Sequence, residues 1–266
     1  MKAKRIITIL GLLMLGMTAC EKKTEEMSMK TSSSEMNLIE SDERISSNSL
    51  PTITPVEIQP SEDPENPAGA MQESYASAMV QIVAGNLKGS GVIVYSTEEE
   101  VWIATAAHVL ANIKESAKIT FFDGFVAEAK TIEYLEPQDI AVIRLPREAL
   151  VYKSADEIMD HGSIYHTAIL ERDAFDGAGV GDLAIAIGSK TGVAQESYAG
   201  VILEDYVYLE DFGTYMILAD VYVTPGMSGG GLFDAEGRLL GIICGVAEDG
   251  EVAVAPVTTI LAMTDL

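Results

Sequence analysis

The glycine-rich stretch TPGMSGGGLF at residues 224–233 places one hydroxyl, that of Ser228, among four glycines and ahead of an apolar pair. Glycine reaches backbone conformations closed to other residues. The stretch is therefore either an ordinary turn or a loop built to follow one particular path. A Ser hydroxyl becomes a strong nucleophile only beside a general base, which in turn needs an acid to orient it. The positions of His and Asp along the chain decide between these alternatives.

The chain has three His, and only one of them adjoins an apolar strand pattern. His161 and His166 lie in DHGSIYHTAIL, a polar stretch typical of solvated loop. His108 ends VWIATAAHVL, after two small Ala, and Asp139 opens the apolar run DIAVIRL. Asp139 alone would also fit an ordinary turn residue before a strand. The ordered set of His108, Asp139 and Ser228, each beside a predicted strand, indicates a Ser-His-Asp site.

Short runs rich in Val and Ile recur along the chain, separated by Gly, Asp, Glu or Pro. This pattern is typical of an antiparallel sandwich or barrel. The runs are MVQIVAG, GVIVY, VWIAT, AKITFF, DIAVIRL, DLAIAIG, YMILAD, RLLGIICGV and EVAVAPV. Two segments favour helix instead, REALVYKSADEI at 147–158 and the C-terminal VTTILAMTDL.

Three motifs, TAAHV, DIAVIRL and PGMSGGGLF, together resemble the catalytic motifs of chymotrypsin-like serine proteases. The likeness is closest to the bacterial HtrA/Deg branch and extends from about Met79 to the C-terminus. It is carried by GSGVIV at 89–94, VGDLAIAIG at 180–188 and ADVYVTPGMSGGGLFDAEGRLLGI at 219–242. The resemblance implies an all-β fold of two antiparallel six-stranded β-barrels with a short C-terminal helix.

The resemblance also implies the site and the activity, a serine-type endopeptidase acting on polypeptides without metal or cofactor. His108 would be the general base and then the general acid, Asp139 would orient it, and Ser228 would attack the peptide carbonyl. The backbone N–H groups of Gly226 and Ser228 would form the oxyanion hole. The alternative is a non-catalytic module that binds proteins or peptides and retains the protease fold.

Met227 departs from the family pattern, which usually has Asp or Asn before the nucleophile. The oxyanion loop must then be held by packing, so we expect Met227 to point into the domain. Met227 also supports the binding-module alternative, because a collapsed loop would leave the three residues idle. No room remains after Leu266 for a PDZ domain, so the regulation that a PDZ confers on HtrA relatives is not expected.

The resemblance places the substrate pocket on both sides of the nucleophile loop. No Asp or His stands where relatives specific for basic or acidic side chains have one, and an unpaired buried charge is costly. A small or medium apolar residue before the scissile bond is therefore expected. The pocket positions are Tyr222, Val223, Thr224, Ile243, Cys244 and Gly245.

The N-terminus reads as an export signal over residues 1–19, with a cationic start and an apolar run too short to span a bilayer. Cys20 follows Thr-Ala and resembles a lipobox cysteine, which predicts a lipid anchor and a lipoprotein of the bacterial cell membrane, facing away from the cytoplasm. An ordinary signal peptide with an incidental Cys is the alternative. Residues 20–70, rich in Glu, Ser, Thr and Pro, predict a disordered tether or else an N-terminal subdomain, and residues 71–266 the protease domain.

The chain is strongly acidic, with a net charge of -24. Residues 71–266 hold 30 of the 41 acids and 10 of the 17 bases, a net of -20. This charge disfavours nucleic acid as a partner. It would attract basic peptides, although solubility alone explains it. After Cys20 only Cys244 remains, so no disulfide is expected within the domain, and no Cys/His spacing suits zinc.

Overall fold

A computed structural model describes residues 6–7, 65–135, 138–154, 157–247 and 249–264. The predicted lipid-anchor residue Cys20, most of the signal peptide and most of the tether lie outside these residues. Among the described helices, none has the length and apolar character needed to cross a bilayer.

The first described elements are strand β1 (Ile6–Ile7) and helix α1 (Pro67–Tyr75). Seven antiparallel strands then form the N-terminal sheet, in the spatial order β6-β5-β2-β3-β4-β8-β7. Their bounds are β2 (Met79–Ala84), β3 (Leu87–Ser96), β4 (Glu100–Ala106), β5 (Ala117–Thr120), β6 (Val126–Ala129), β7 (Thr131–Leu135) and β8 (Ile140–Pro146). A 3₁₀ helix, Ala107–Leu110, follows β4 directly.

The C-terminal half begins after the small hairpin of β9 (Val151–Lys153) and β10 (Ile158–Asp160) and the short helix α2 (Arg172–Gly177). Its strands pair in the order β15-β14-β11-β12-β13-β16, and β16 pairs back onto β15, which closes a six-stranded barrel. The bounds are β11 (Leu183–Ser189), β12 (Gln195–Leu209), β13 (Thr214–Asp220), β14 (Gly231–Phe233), β15 (Leu239–Ala247) and β16 (Val252–Pro256), followed by helix α3 (Val257–Thr264).

The predicted all-β architecture with a short C-terminal helix is confirmed. The N-terminal half has one strand more than expected, and its described strands form a half-barrel sheet. Strand β1 pairs with Val246 and Ala247 at the end of β15. All nine apolar runs named from the sequence contain strands, because strands such as β4 and β8 are buried on both faces and need no polar alternation.

The predicted helix over 147–158 is wrong. Only Arg147–Leu150 is helical, as a 3₁₀ turn, and the chain then forms the β9–β10 hairpin. The buried Arg147 guanidinium donates two hydrogen bonds to the Asp160 carboxylate, at 3.1 and 3.0 Å, and a third to the Thr97 carbonyl at 3.2 Å. This charge-assisted pairing brings residue 160 back beside residue 147, which a continuous helix would prevent.

Helix α1 docks onto the C-terminal barrel and begins ahead of residue 71, where the sequence places the start of the domain. The Asn66 side chain caps the helix by accepting from the Gly69 N–H at 3.1 Å. At the other end, the Tyr75 hydroxyl donates to the Gly237 carbonyl and its ring packs 4.4 Å from that of Phe233. These contacts tie the start of the fold to the strands that flank the nucleophile loop.

Candidate active site

The pairing of β4 with β8 brings His108 and Asp139 together. In this antiparallel pair Ala106 lies opposite Ile140. The residue after the end of β4 and the residue before the start of β8 therefore meet at the same edge of the sheet. The Ala107 N–H donates to the Asp139 carbonyl at 2.9 Å, which extends the ladder by one step and positions His108 beside the carboxylate.

Both oxygens of the Asp139 carboxylate contact His108. Oδ1 accepts from the His108 backbone N–H at 2.8 Å, and Oδ2 lies 2.7 Å from the ring Nδ1. An ionised carboxylate only accepts hydrogen bonds, so Nδ1 carries the proton and Nε2 of the neutral ring is left as an acceptor. This is the tautomer that a general base needs.

Asp139 has a left-handed backbone, with φ 56°, alone among the described non-glycine residues. Asp tolerates this region better than most residues, yet the conformation costs free energy and persists only where neighbours enforce it. Its carbonyl accepts from Ala107, and the Cys244 thiol lies 3.7 Å from the same oxygen. The turn thereby aims the carboxylate at the imidazole.

Ser228 lies within the glycine-rich loop, close to β3 and to the segment that follows β4. A Cβ on Gly89 would stand 2.7 Å from the Ser228 carbonyl oxygen and 2.6 Å from Val109 Cγ2. Because Gly89 has no side chain, Ser228 and Val109 can both lie close to its backbone. Ser228 is only 1 % exposed. In the described part of the chain, Ser228 Oγ and His108 Nε2 are both buried without a hydrogen-bond partner. Buried polar atoms rarely stay unpaired, so both atoms are candidates for contact with a bound substrate.

Ser90, in the GSGVIV motif, is the principal clamp on the nucleophile loop, and sequence reasoning gave it no role. Its N–H donates to the Ser228 carbonyl at 2.7 Å, and its hydroxyl donates to the Gly226 carbonyl at 2.7 Å. The same hydroxyl accepts from the Ser189 N–H at 2.8 Å, and Thr105 donates to the Ser90 carbonyl at 2.7 Å. One residue of the N-terminal sheet thus fixes two carbonyls of the loop.

Met227 is fully buried in the interior of the C-terminal barrel, as expected from its place in the loop. It packs over Gly188, where a Cβ would stand 2.7 Å from Met227 Cγ, so only glycine leaves room for the side chain. The Met227 N–H donates to the Thr224 carbonyl at 3.0 Å. Apolar packing therefore holds this position of the loop.

The loop leaves two backbone donors available. Gly229 donates to the Ile243 carbonyl and Gly230 to the Met227 carbonyl, each at 2.8 Å. Within the described residues, neither the Gly226 nor the Ser228 N–H donates to a backbone carbonyl. Gly226 has φ 100°, a conformation that favours glycine. These are the two N–H groups assigned to the oxyanion hole from the sequence.

The six positions named for the substrate pocket differ in exposure. Tyr222 is 65 % exposed, and its ring meets Tyr198 edge-on at 4.8 Å. Val223 and Thr224 are half-buried. Ile243, Cys244 and Gly245 lie buried on β15, with Ile243 in the barrel interior and the Cys244 thiol against Asp139. Burial raises the pKa of the Cys244 thiol well above its usual value, which keeps it protonated.

Glu196 supports the glycine-rich loop at Thr224, and the sequence analysis did not identify it. Its carboxylate accepts from the Thr224 hydroxyl at 2.7 Å and pairs with the Lys190 ammonium at 2.8 Å. The hydrogen bond from Lys190 lowers the pKa of Glu196. Lys190 in turn lies beside Gly226, 3.4 Å from where a Cβ would stand. No sequence motif marks this contact, since the two elements meet only in the folded barrel.

In the described ranges, no three His, Cys, Asp or Glu side chains come together as they would around a metal ion. The chemistry that the arrangement supports is instead nucleophilic: a hydroxyl, an oriented imidazole and two free N–H donors.

Comparison with known proteins shows that the chain is similar to serine proteases. The model of the trypsin-like peptidase domain matches residues 89–242, more than half of the chain and the whole span from the GSGVIV motif to β15. The chain belongs to the trypsin-like peptidase family. The serine protease Do-like HtrA of Lactococcus lactis is 26% identical over 179 residues, which are 63% of this chain and 40% of that protein.

The periplasmic pH-dependent serine endoprotease DegQ of Escherichia coli is 27% identical over 165 residues, 61% of this chain and 32% of that protein. The present trypsin-like peptidase thus spans about a third of the length of such curated relatives. In fold it resembles the crystal structure of a serine endoprotease from Yersinia pestis, with a TM-score of 0.56 at 20% identity, over 73% of this chain and 64% of that one. The predicted likeness to the HtrA/Deg branch is confirmed.

Proposed function

We propose that the chain is a serine endopeptidase that hydrolyses polypeptides outside the cytoplasm. The observation that carries the proposal is the pairing of Asp139 with His108 Nδ1 at 2.7 Å, with His108 Nε2 and Ser228 Oγ both buried and unpaired. Nε2 takes the Ser228 proton as Oγ bonds to the substrate carbonyl carbon. It then gives that proton to the amine as the C–N bond breaks, and water repeats the cycle on the ester.

The charge that develops on the carbonyl oxygen is stabilised by the N–H groups of Gly226 and Ser228. Loss of one such donor costs roughly 3 kcal/mol of transition-state stabilisation. Ser90 holds the carbonyls of both residues, which supports a fixed path for the loop that carries these donors. This arrangement favours catalysis over the non-catalytic binding module, since burial of Met227 supports an ordered loop rather than a collapsed one.

Substrates bind in an extended conformation along the edge of β15, and a small or medium apolar residue precedes the scissile bond. Before processing, Ile6–Ile7 of the predicted export signal pairs with Val246 and Ala247, which supports this because that edge accepts an extended segment two residues beyond Cys244. The half-buried Val223 and Thr224 offer no charged group to a substrate side chain.

Cys20 carries the lipid that retains the protein at the membrane, and the residues between Cys20 and helix α1 act as a flexible tether. Curated relatives with periplasmic names support a location outside the cytoplasm. Cys20→Ser should release the protein from the membrane fraction or block its processing. Wild-type protein found wholly soluble, with a mature N-terminus other than residue 20, would contradict the anchor.

Labelling with a fluorophosphonate probe tests the activity. Wild-type protein should label and cleave casein, and Ser228→Ala should do neither while keeping its circular dichroism spectrum, since Ala fits the same space. Ser96→Ala, a buried Ser on β3 away from the site, is the matched control and should label normally. Folded wild-type protein that never labels would favour the binding module instead.

A further inference from the structure

The β12–β13 hairpin carries an exposed cluster of tyrosines that the proposed catalysis does not use. β13 pairs with β16 only from Ile217 to Ala219, whereas β12 and β13 pair on to Leu209 and Thr214. The hairpin therefore extends beyond its pairing with β16, and its inner face buries Leu209 and Met216 in the core. The aromatic rings on its other face stay exposed, and exposed apolar patches commonly mark interaction surfaces.

Three rings form the surface that we call the tyrosine face: Tyr206, Tyr208 and Tyr215. Tyr206 and Tyr215 stack at 4.1 Å with an angle of 2° between their planes, and Tyr208 meets Tyr215 edge-on at 5.3 Å. The three are 59, 52 and 45 % exposed. Phe175 of α2 meets Tyr206 at 6.1 Å and braces it from the barrel side. The rings are thus held in place while much of their surface stays open to solvent.

The strands that carry the tyrosine face are rich in carboxylates. Residues 195–220 contain six Asp and Glu and no Lys, Arg or His. Glu204, Asp205 and Glu210 are exposed on the same hairpin. A second copy of this hairpin, nucleic acid or an anionic membrane would therefore meet like charge here. Guanidinium and ammonium groups are attracted both by the carboxylates and by the negative faces of the aromatic rings.

We propose that the tyrosine face binds Lys- and Arg-rich segments of polypeptides, as an exosite separate from the Ser228 loop. The rings supply stacking platforms for guanidinium groups, and the carboxylates supply attraction that reaches about 10 Å at 0.1 M salt. The surface would concentrate cationic polypeptides at the barrel. Binding there does not depend on the proposed catalysis and is measurable in protein that lacks the Ser228 hydroxyl.

The test uses the full chain carrying Ser228→Ala and a fluorescein-labelled decapeptide of alternating Arg and Ser, followed by fluorescence anisotropy. The Arg peptide should bind, Glu/Ser and Gly/Ser decapeptides should not, and raising the salt from 50 to 300 mM should weaken binding. Tyr206→Ser, Tyr208→Ser and Tyr215→Ser combined should weaken it about tenfold or more. Tyr152→Ser, an equally exposed ring on β9, is the matched control and should bind as before.

A charge variant with Glu204→Gln, Asp205→Asn and Glu210→Gln should weaken binding severalfold and flatten its salt dependence. Its control is Glu98→Gln with Glu99→Gln, two exposed acids in the turn before β4. If the triple Tyr variant loses its native circular dichroism, Tyr208→Ser alone should still weaken binding about threefold. Unchanged binding in the folded Tyr variants would overturn the proposal. Equal binding of the Glu peptide, displacement by a neutral oligosaccharide, or a dimer that dissociates on loss of the rings would also overturn it.

Discussion

The two sheets hold their parts of the candidate site in different ways. His108 and Asp139 are positioned by the register of a single strand pair, with their contacts made across one sheet edge. The Ser228 loop is held from several sides, by Ser90 of the N-terminal sheet, by the packing of Met227 and by Glu196 of β12. The His108–Asp139 pair is thus a local structure, whereas the position of Ser228 depends on how the two halves pack.

The comparison predicts that a change in the acid–base pair alters chemistry without altering the fold. Asp139→Asn should reduce kcat about 10³- to 10⁴-fold, because the amide favours the wrong imidazole tautomer. Asn also tolerates the left-handed backbone at this position, so the melting temperature should change little. Casein cleavage and thermal unfolding measure the two effects.

Asp123→Asn is the control for that change. Asp123 pairs with His161 Nδ1 at 2.6 Å in a second His–Asp contact, in the turn between β5 and β6. It should leave kcat within about twofold of wild type. An Asp139→Asn variant that kept a tenth or more of the wild-type activity would show that the carboxylate does not orient the base.

The nucleophile loop should respond to packing rather than to charge. Met227→Asp buries a carboxylate for which the loop offers no cationic partner among its described contacts, and should destabilise the fold by about 3–5 kcal/mol and abolish cleavage. Met227→Leu, nearly equal in volume, should cost less than about 1.5 kcal/mol and retain activity. The opposite ranking in a peptide-cleavage assay would falsify the packing account.

The contact between the halves should show an intermediate effect. Ser90→Ala removes the bond to the Gly226 carbonyl and leaves the buried Ser189 N–H unpaired, at a cost of about 1–3 kcal/mol. We expect kcat to fall about tenfold with little change in KM. Ser96→Ala, which also removes a buried hydroxyl from β3, should leave kcat unchanged. Equal loss of kcat in both variants would mean that stability, not loop position, controls the rate.

The flank contact should show the smallest effect. Glu196→Gln keeps an acceptor for Thr224 but loses the charge paired with Lys190, a half-exposed pair worth at most about 1 kcal/mol. Because the pKa of Glu196 is lowered in the fold, its stabilisation is present at neutral pH and is lost as the pH falls through that lowered pKa. The difference in melting temperature between wild type and Glu196→Gln should therefore shrink between pH 5 and pH 3.

Sequence patterns predicted most of the strands that bury apolar runs and missed the mostly exposed strand β12. Strand β12 has only Ile202 and Leu209 fully buried among its 15 residues, so it presents no apolar run to recognise. The segment 147–158 has a helical composition, but the Arg147–Asp160 pair is a tertiary contact that composition does not encode. The apolar pattern of a sequence indicates which residues are buried. The structures of β12 and of residues 147–158 depend instead on contacts with other parts of the fold.

The same division applies to the site. The three predicted site residues lie next to the ends of strands, where functional residues are commonly found: His108, Asp139 and Ser228. Ser90 and Gly226 are 136 positions apart and meet only because the two halves pack together. Their contact, like the one between Glu196 and Thr224, follows from the assembled barrel and leaves no spacing signal in the chain.

The register of β4 on β8 also bears on how the chain could vary over evolutionary time. Ala106 and Ile140 lie opposite each other whatever the intervening residues do, provided that the ladder forms. The number of residues between His108 and Asp139 is therefore not fixed by the fold. Insertions or deletions in the turn between β5 and β6 would lengthen or shorten the segment between β4 and β8 without displacing the imidazole from the carboxylate. Homologous sites therefore need not share this spacing.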